Sequence, residues 1–151
     1  MKRLVLPLFL FLLFIVGCAT TQLSNLQRRA IEAKELDGSY EDAYRATIQV
    51  LQDYGYVIKH SDYNGGIIVG ELGVKTDAKW FWTGSQTSFE VTAHIEQWTE
   101  GKVKERITFV EKTVNKAWNM ENNKVVEEPK LLQKIYDDIQ KEIFVRQNLG
   151  K

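Results

Sequence analysis

Between Ser88 and Trp98 the chain alternates cleanly, with Phe89, Val91, Ala93 and Ile95 on one side and Glu90, Thr92, His94 and Glu96 on the other. Successive side chains of a strand point to opposite faces, so this pattern suits a strand with one face buried and one wet, as in antiparallel sheets. Glu100-Gly101 then turns the chain, and Val103 to about Val114 is predicted to pair back, with Ile107 and Phe109 facing inward. A hairpin of this length needs a cover on its apolar face.

Ser39 can N-cap a helix with Asp42 three positions on, close to the capping-box pattern, and the helix is predicted to run to about Tyr54. Tyr44, Ile48 and Leu51 recur at helical spacing and form its expected buried stripe, and Gly55 suits the left-handed C-terminal cap. Tyr56 to His60 reads as a strand, Asp62 to Gly66 as a turn built on Asn64-Gly65, and Ile67 to Leu72 as the returning strand. Gly73 to Gly84 reads as a loop or irregular extension, and Asn115 to Glu128, polar and without period, as a loop. Pro129 suits the first turn of a second helix whose apolar face is Leu132, Ile135, Ile139 and Ile143, with Gly150 closing it. Arg28 to Leu36 fits either a strand or a short helix. The expected fold is therefore α+β in two layers: an antiparallel sheet of four to five strands with two helices on one face, in the order β-α-β-β-β-β-α. The opposite face, carrying Glu90, Thr92, His94, Arg106 and Thr108, is expected to be wet.

Ahead of this domain stands a different kind of sequence. Lys2 and Arg3 precede an apolar run from Leu4 to Val16, and Gly17, Cys18 and Ala19 follow it. A positive start, a short apolar core and a small-residue exit are the marks of a secretory signal peptide. A membrane-spanning helix needs about 18 or more apolar residues, and this run is shorter. Cys18 is the one cysteine of the chain, so an internal disulfide is impossible and a thiol-based metal or redox site lacks partners.

The tetrapeptide Ile15-Val16-Gly17-Cys18 resembles the bacterial lipobox, with Ile15 and Val16 where Leu and Ala or Ser are more usual. The resemblance implies lipid attachment at Cys18 and cleavage after Gly17. If the source is Gram-negative, Ala19 rather than Asp next implies transfer to the outer membrane with the domain facing the periplasm, and otherwise the chain is a cell-membrane lipoprotein. Stable anchoring takes more than one acyl chain, which such a modification supplies. The implied divisions are a signal peptide over 1–17, a lipidated tether over 18–27 and a single domain over 28–151. About nine extended tether residues reach roughly 30 Å, so the domain would stay near the membrane. The element order also resembles the helix-grip domains of BamC, a lipoprotein of the machinery that assembles outer-membrane β-barrels. Leu51 to Ile68, "LQDYGYVIKHSDYNGGII", is similar to a segment of uncharacterised bacterial lipoproteins and speaks only to fold.

The whole chain balances 20 basic against 20 acidic residues, and loss of Lys2 and Arg3 with the signal peptide leaves a slight acidic excess. Nucleic acid, which selects a basic face, is therefore not an expected partner. His60 and His94 are the two imidazoles. His94 falls on the wet face, and in His60-Ser61-Asp62 adjacent strand residues point to opposite faces, which prevents a relay. No zinc-protease, phosphate-loop or dinucleotide motif occurs, and the acidic residues near Glu121 and Glu127-Glu128 lack a calcium-loop pattern. No cofactor, metal or catalytic residue is expected. The remaining candidate is Lys79-Trp80-Phe81-Trp82, whose large aromatics either plug the end of the sheet or contact a partner protein or membrane headgroups. The expected function is that of a non-enzymatic interaction or assembly module at the outer membrane, with an envelope protein as partner. The alternatives are a binding protein for a small apolar ligand or lipid in the helix–sheet cleft, and a hydrolase without a legible site.

Overall fold

The computed structural model describes residues 33–75, 85–115 and 120–149. In chain order these form β1 (Ala33–Asp37), α1 (Tyr40–Asp53), β2 (Tyr56–Asp62), β3 (Ile67–Lys75), β4 (Ser85–Thr99), β5 (Lys102–Asn115), β6 (Met120–Val126) and α2 (Pro129–Leu149). The chain is α+β, with an antiparallel sheet of six strands and two helices packed on one face. The order across the sheet is β1-β5-β4-β3-β2, and β6 also pairs with β5.

The alternating hairpin is the spine of the sheet. β4 and β5 pair from Ser85↔Asn115 to Thr99↔Lys102, with a register shift between Gln97 and Thr99 beside the Glu100-Gly101 turn. Val91, Ala93 and Ile95 of β4 and Val103, Ile107 and Phe109 of β5 are buried, while Phe89 is only half-buried at the end of its row. Both helices cover these residues.

α1 begins where the sequence places it. Ser39 is extended, with φ −73° and ψ 156°, and its Oγ accepts from the Asp42 amide at 3.1 Å. Glu41 and Asp42 set negative charge on the first turn, where the helix dipole favours it. The end is closed by the amide of Gly55 donating to the Gln52 carbonyl at 2.8 Å, with Gly55 at φ 88°. The buried stripe differs from the expected Tyr44, Ile48 and Leu51. It is Ala43, Tyr44, Ala46, Thr47, Val50 and Leu51, and Ile48 is half-buried. The small residues Ala43 and Ala46 let the helix lie close to the sheet, which turns Thr47 to the centre and leaves Ile48 on the shoulder. α2 matches its expected face: Leu132, Ile135, Ile139 and Ile143 are buried, joined by Tyr136.

Two expectations about loops are corrected. Residues 120–126, expected within a loop over Asn115 to Glu128, form β6, paired with β5 from Asn115↔Met120 to Phe109↔Val126. Six of its seven residues are exposed and Val126 alone packs partly against the core, so it leaves no hydrophobic period to read. β3 also extends to Lys75 rather than stopping at Leu72. The sheet therefore exceeds the expected four to five strands. β1 resolves the choice over Arg28 to Leu36 in favour of a strand for its described part, with Leu36 buried.

β1 and β6 occupy the same edge of β5 end to end. β1 covers Lys102–Arg106, β6 covers Phe109–Asn115, and Ile107 and Thr108 fall between them. There the Tyr136 hydroxyl, from α2, accepts from the Ile107 amide at 3.0 Å and donates to the Glu105 carbonyl at 3.2 Å. A side chain thus supplies the hydrogen bonds that no strand supplies, as buried backbone groups require. At the end of β1, Gln140 does the same for Asp37, accepting from its amide and donating to its carbonyl, each at 2.9 Å.

Candidate functional site

The sequence candidates Cys18 and Lys79, Trp80, Phe81 and Trp82 lie outside the described residues, as do the signal-peptide and tether segments. The strand ends that flank residues 76–84 and 116–119 are described, and they adjoin: Ser85 pairs with Asn115, and Asn115 with Met120. Among the described residues no helix is long and apolar enough to cross a membrane.

The outer face of the sheet is half-exposed and carries an ordered row of charge. Glu71 and Glu90 are direct cross-strand partners on β3 and β4, a pairing that like charges disfavour. Each is answered on its outer side. Lys59 of β2 lies 3.4 Å from Glu71, and Lys112 of β5 donates to Glu90 at 2.7 Å. The bond to Glu90 raises the Lys112 ammonium above its usual range, against a smaller desolvation effect. Around this row stand Val69, Thr92, Thr108 and Val110, all partly exposed. Trp98, 52 % exposed, holds the Lys104 ammonium 4.6 Å from its ring centroid.

The histidines occupy structural surroundings. His94 Nδ1 lies 3.2 Å from Glu96 Oε1 on the outer face, and His60 is exposed on β2. Asp62 Oδ1 accepts from the Asn64 amide at 3.0 Å, so its carboxylate shapes the β2–β3 turn. That turn is held down by α1: Tyr40 donates to the Tyr63 carbonyl, and the Tyr63 ring sits 5.2 Å from Tyr40 and 5.1 Å from Tyr44. Gly66, at φ 66°, accepts from the Ile95 amide at 2.8 Å, and a Cβ there would come within 2.1 Å of the Ile95 carbonyl oxygen. Beside the turn an open depression of about 580 Å³ is lined by Tyr40, Asn64, Gly65, His94, Glu96 and Gln97. Among the described residues no three His, Cys, Asp or Glu side chains come together to hold a metal ion.

Sequence reasoning missed the most unusual side chain of the molecule. Glu105 lies on the inner face of β5 between Val103 and Ile107 and is wholly buried. Its Oε1 is 2.9 Å from Thr47 Oγ1 of α1, and its Oε2 has no hydrogen-bond partner. Desolvation pushes the carboxyl up to about 8. The signal was available, because position 105 shares the parity of Val103, Ile107 and Phe109. A second polar link joins the helices: Tyr54 donates to Asp138 Oδ2 at 2.9 Å. Burial and then that bond push the Tyr54 phenol up to about 12, while Lys141 and then Tyr54 hold Asp138 below its usual range.

No protein-family model matches the chain. No curated protein matches it either. Among solved structures it is similar to the adenylate sensor from AMP-activated protein kinase, crystallised with 5-aminoimidazole-4-carboxamide 1-beta-D-ribofuranotide. The match has 10% identity and a TM-score of 0.39, covering 74% of this chain and 94% of that one. At that level it carries no argument about fold or function.

Proposed function

We propose that the chain is a lipid-anchored, non-enzymatic interaction or assembly module, attached through Cys18 to the outer membrane and facing the periplasm. The observation that carries the reading is the sequence Ile15-Val16-Gly17-Cys18 at the end of a short apolar run. One thiol without a possible disulfide partner then has a chemical use. The described domain agrees with a module that meets partners: one face of its sheet is packed under two helices, and the other presents a half-exposed, charge-paired surface. The space between helices and sheet is occupied by side chains of near-zero exposure, which favours a docking surface over a ligand cleft. Lys79-Trp80-Phe81-Trp82 is proposed as the contact segment for an envelope protein or the membrane surface.

Metabolic labelling with a fatty acid tests the anchor. Wild type takes up label and is shortened, whereas Cys18→Ser stays unlabelled and unprocessed; label persisting in the variant overturns the reading. A photo-crosslinker placed at Trp82 or Thr92 in intact cells tests the module. Recovery of a defined envelope protein supports it, and crosslinks no stronger than those from an exposed α2 position such as Lys141 count against it.

A further inference from the structure

The seam between α1 and the sheet holds a carboxyl group that the proposed function does not use. Glu105 Oε1 lies 2.9 Å from Thr47 Oγ1, and the same Oγ1 lies 2.8 Å from the carbonyl oxygen of Ala43, one turn earlier in α1. Both are hydrogen-bond distances between oxygens, so each line needs its own proton. A threonine hydroxyl has one proton and a carbonyl has none. With Thr47 donating to Ala43, the proton on the second line belongs to Glu105. The reverse assignment, Thr47 donating to a carboxylate, leaves two oxygens facing each other at 2.8 Å without a proton. It also leaves a buried anion whose Oε2 has no donor, which is the costly way to bury a charged group.

The groups facing Glu105 agree with a neutral acid. From α1 the facing group is Thr47, which does not titrate. From α2 it is Tyr136, whose hydroxyl is engaged by backbone groups of β5. From β4 the register partner is Ile95. From β1 it is Lys34, and that ammonium is turned to Asp137 at 3.3 Å and lies 5.7 Å from the Tyr136 ring centroid. The one cation in register is thus committed to another carboxylate.

We propose that Glu105 is a carboxylic acid donating its proton to Thr47, and that this proton is a latch holding α1 on the sheet, so that its loss at raised pH loosens α1 first. α2 has fastenings of its own in Gln140 and Asp137, on β1. The sign of the pH effect follows from burial, which raises this carboxyl from 4.5 to about 8. The unfolded chain gives up the proton near the lower value and the folded chain keeps it to the higher one. The stabilisation is therefore fully present below the lower value and is lost as pH rises through the higher one. Across that window the folding constant falls by about tenfold per pH unit at most.

Amide hydrogen exchange of the full chain in nonionic detergent tests this, read at pH 6 and pH 8.5 against Glu105→Gln at the same pH so that intrinsic rates cancel. Glutamine keeps a donor for Thr47 and cannot ionise. The expected result is α1 amides that exchange at least about tenfold faster in wild type than in the variant at pH 8.5. At pH 6 the gap narrows markedly, and at pH 8.5 the best-protected wild-type amides of α1 exchange faster than those of α2. Wild-type α1 amides that track the variant at pH 8.5 overturn the latch. Wild-type amides of α1 and α2 that are equally protected at pH 8.5 overturn it too, since α1 then opens only with the whole fold. Where Glu105→Gln does not fold, the wild type decides alone. Followed by NMR, its Glu105 carboxyl carbon is expected in the acid form at pH 6, and a carboxylate signal there overturns the proposal.

Discussion

Glu90 and Glu105 sit on neighbouring strands of one hairpin, and the two faces of the sheet give them opposite chemistry. Glu90 points outward, where Lys112 and water share its charge. Glu105 points inward, where one threonine hydroxyl is the one hydrogen-bond partner of its carboxyl among the described residues. Nothing in the residue type differs. Parity along the strand alone decides whether a glutamate is a solvated anion or a buried acid, because successive side chains go to opposite faces. The same division separates the apolar seam under the helices from the half-open outer surface.

Substitutions on the two faces sharpen or break that contrast. The largest effect is expected from Ile139→Ala, which empties a fully buried site under α2 and should cost about 2–5 kcal/mol in a urea melt of the full chain in detergent. Glu105→Gln is expected to work in the other direction, stabilising by on the order of a few kcal/mol at pH 8 and little near pH 5. A pH-independent effect of Glu105→Gln would mean that the inner face does not hold a protonated acid. Ile48→Ala, on the shoulder of α1, should cost about 1 kcal/mol, clearly less than Ile139→Ala. Tyr54→Phe removes one hydrogen bond between the helix surfaces and should cost about 1 kcal/mol. The smallest change belongs to the outer face: Glu90→Gln, which gives up a partly exposed ion pair, should shift the melt by under about 1 kcal/mol. Glu90→Gln matching Ile139→Ala would erase the distinction between the faces.

How much of this was legible depended on whether a residue's role is local. The β4–β5 hairpin follows from alternation, α1 from Ser39 and Gly55, and the α2 face from spacing, so two layers could be read directly. β6 could not, because an edge strand with six of its seven residues exposed has no hydrophobic period. The centre of the α1 stripe was also hidden: Ala43, Ala46 and Thr47 look unremarkable until a sheet lies against them. Glu105 sits between the two cases. Its parity was readable, but its consequence depends on Thr47, 58 positions away. The proposed anchor and contact segment rest on sequence, since Cys18 and Lys79–Trp82 fall outside the described residues.

The tandem edge of β5 also bears on the order in which the molecule is completed. β1 is the first described strand, yet its fastenings to α2, Lys34 to Asp137 and Asp37 to Gln140, each span 103 positions. Contacts of such separation form only after a long loop closes, and they slow folding. During synthesis from the N-terminus, β1 waits for β5 to pair with it and for the middle of the last helix to tie it down. The strand nearest the proposed membrane anchor is thus finished last, so a chain stopped short of α2 would be tethered by a strand that β5 alone holds.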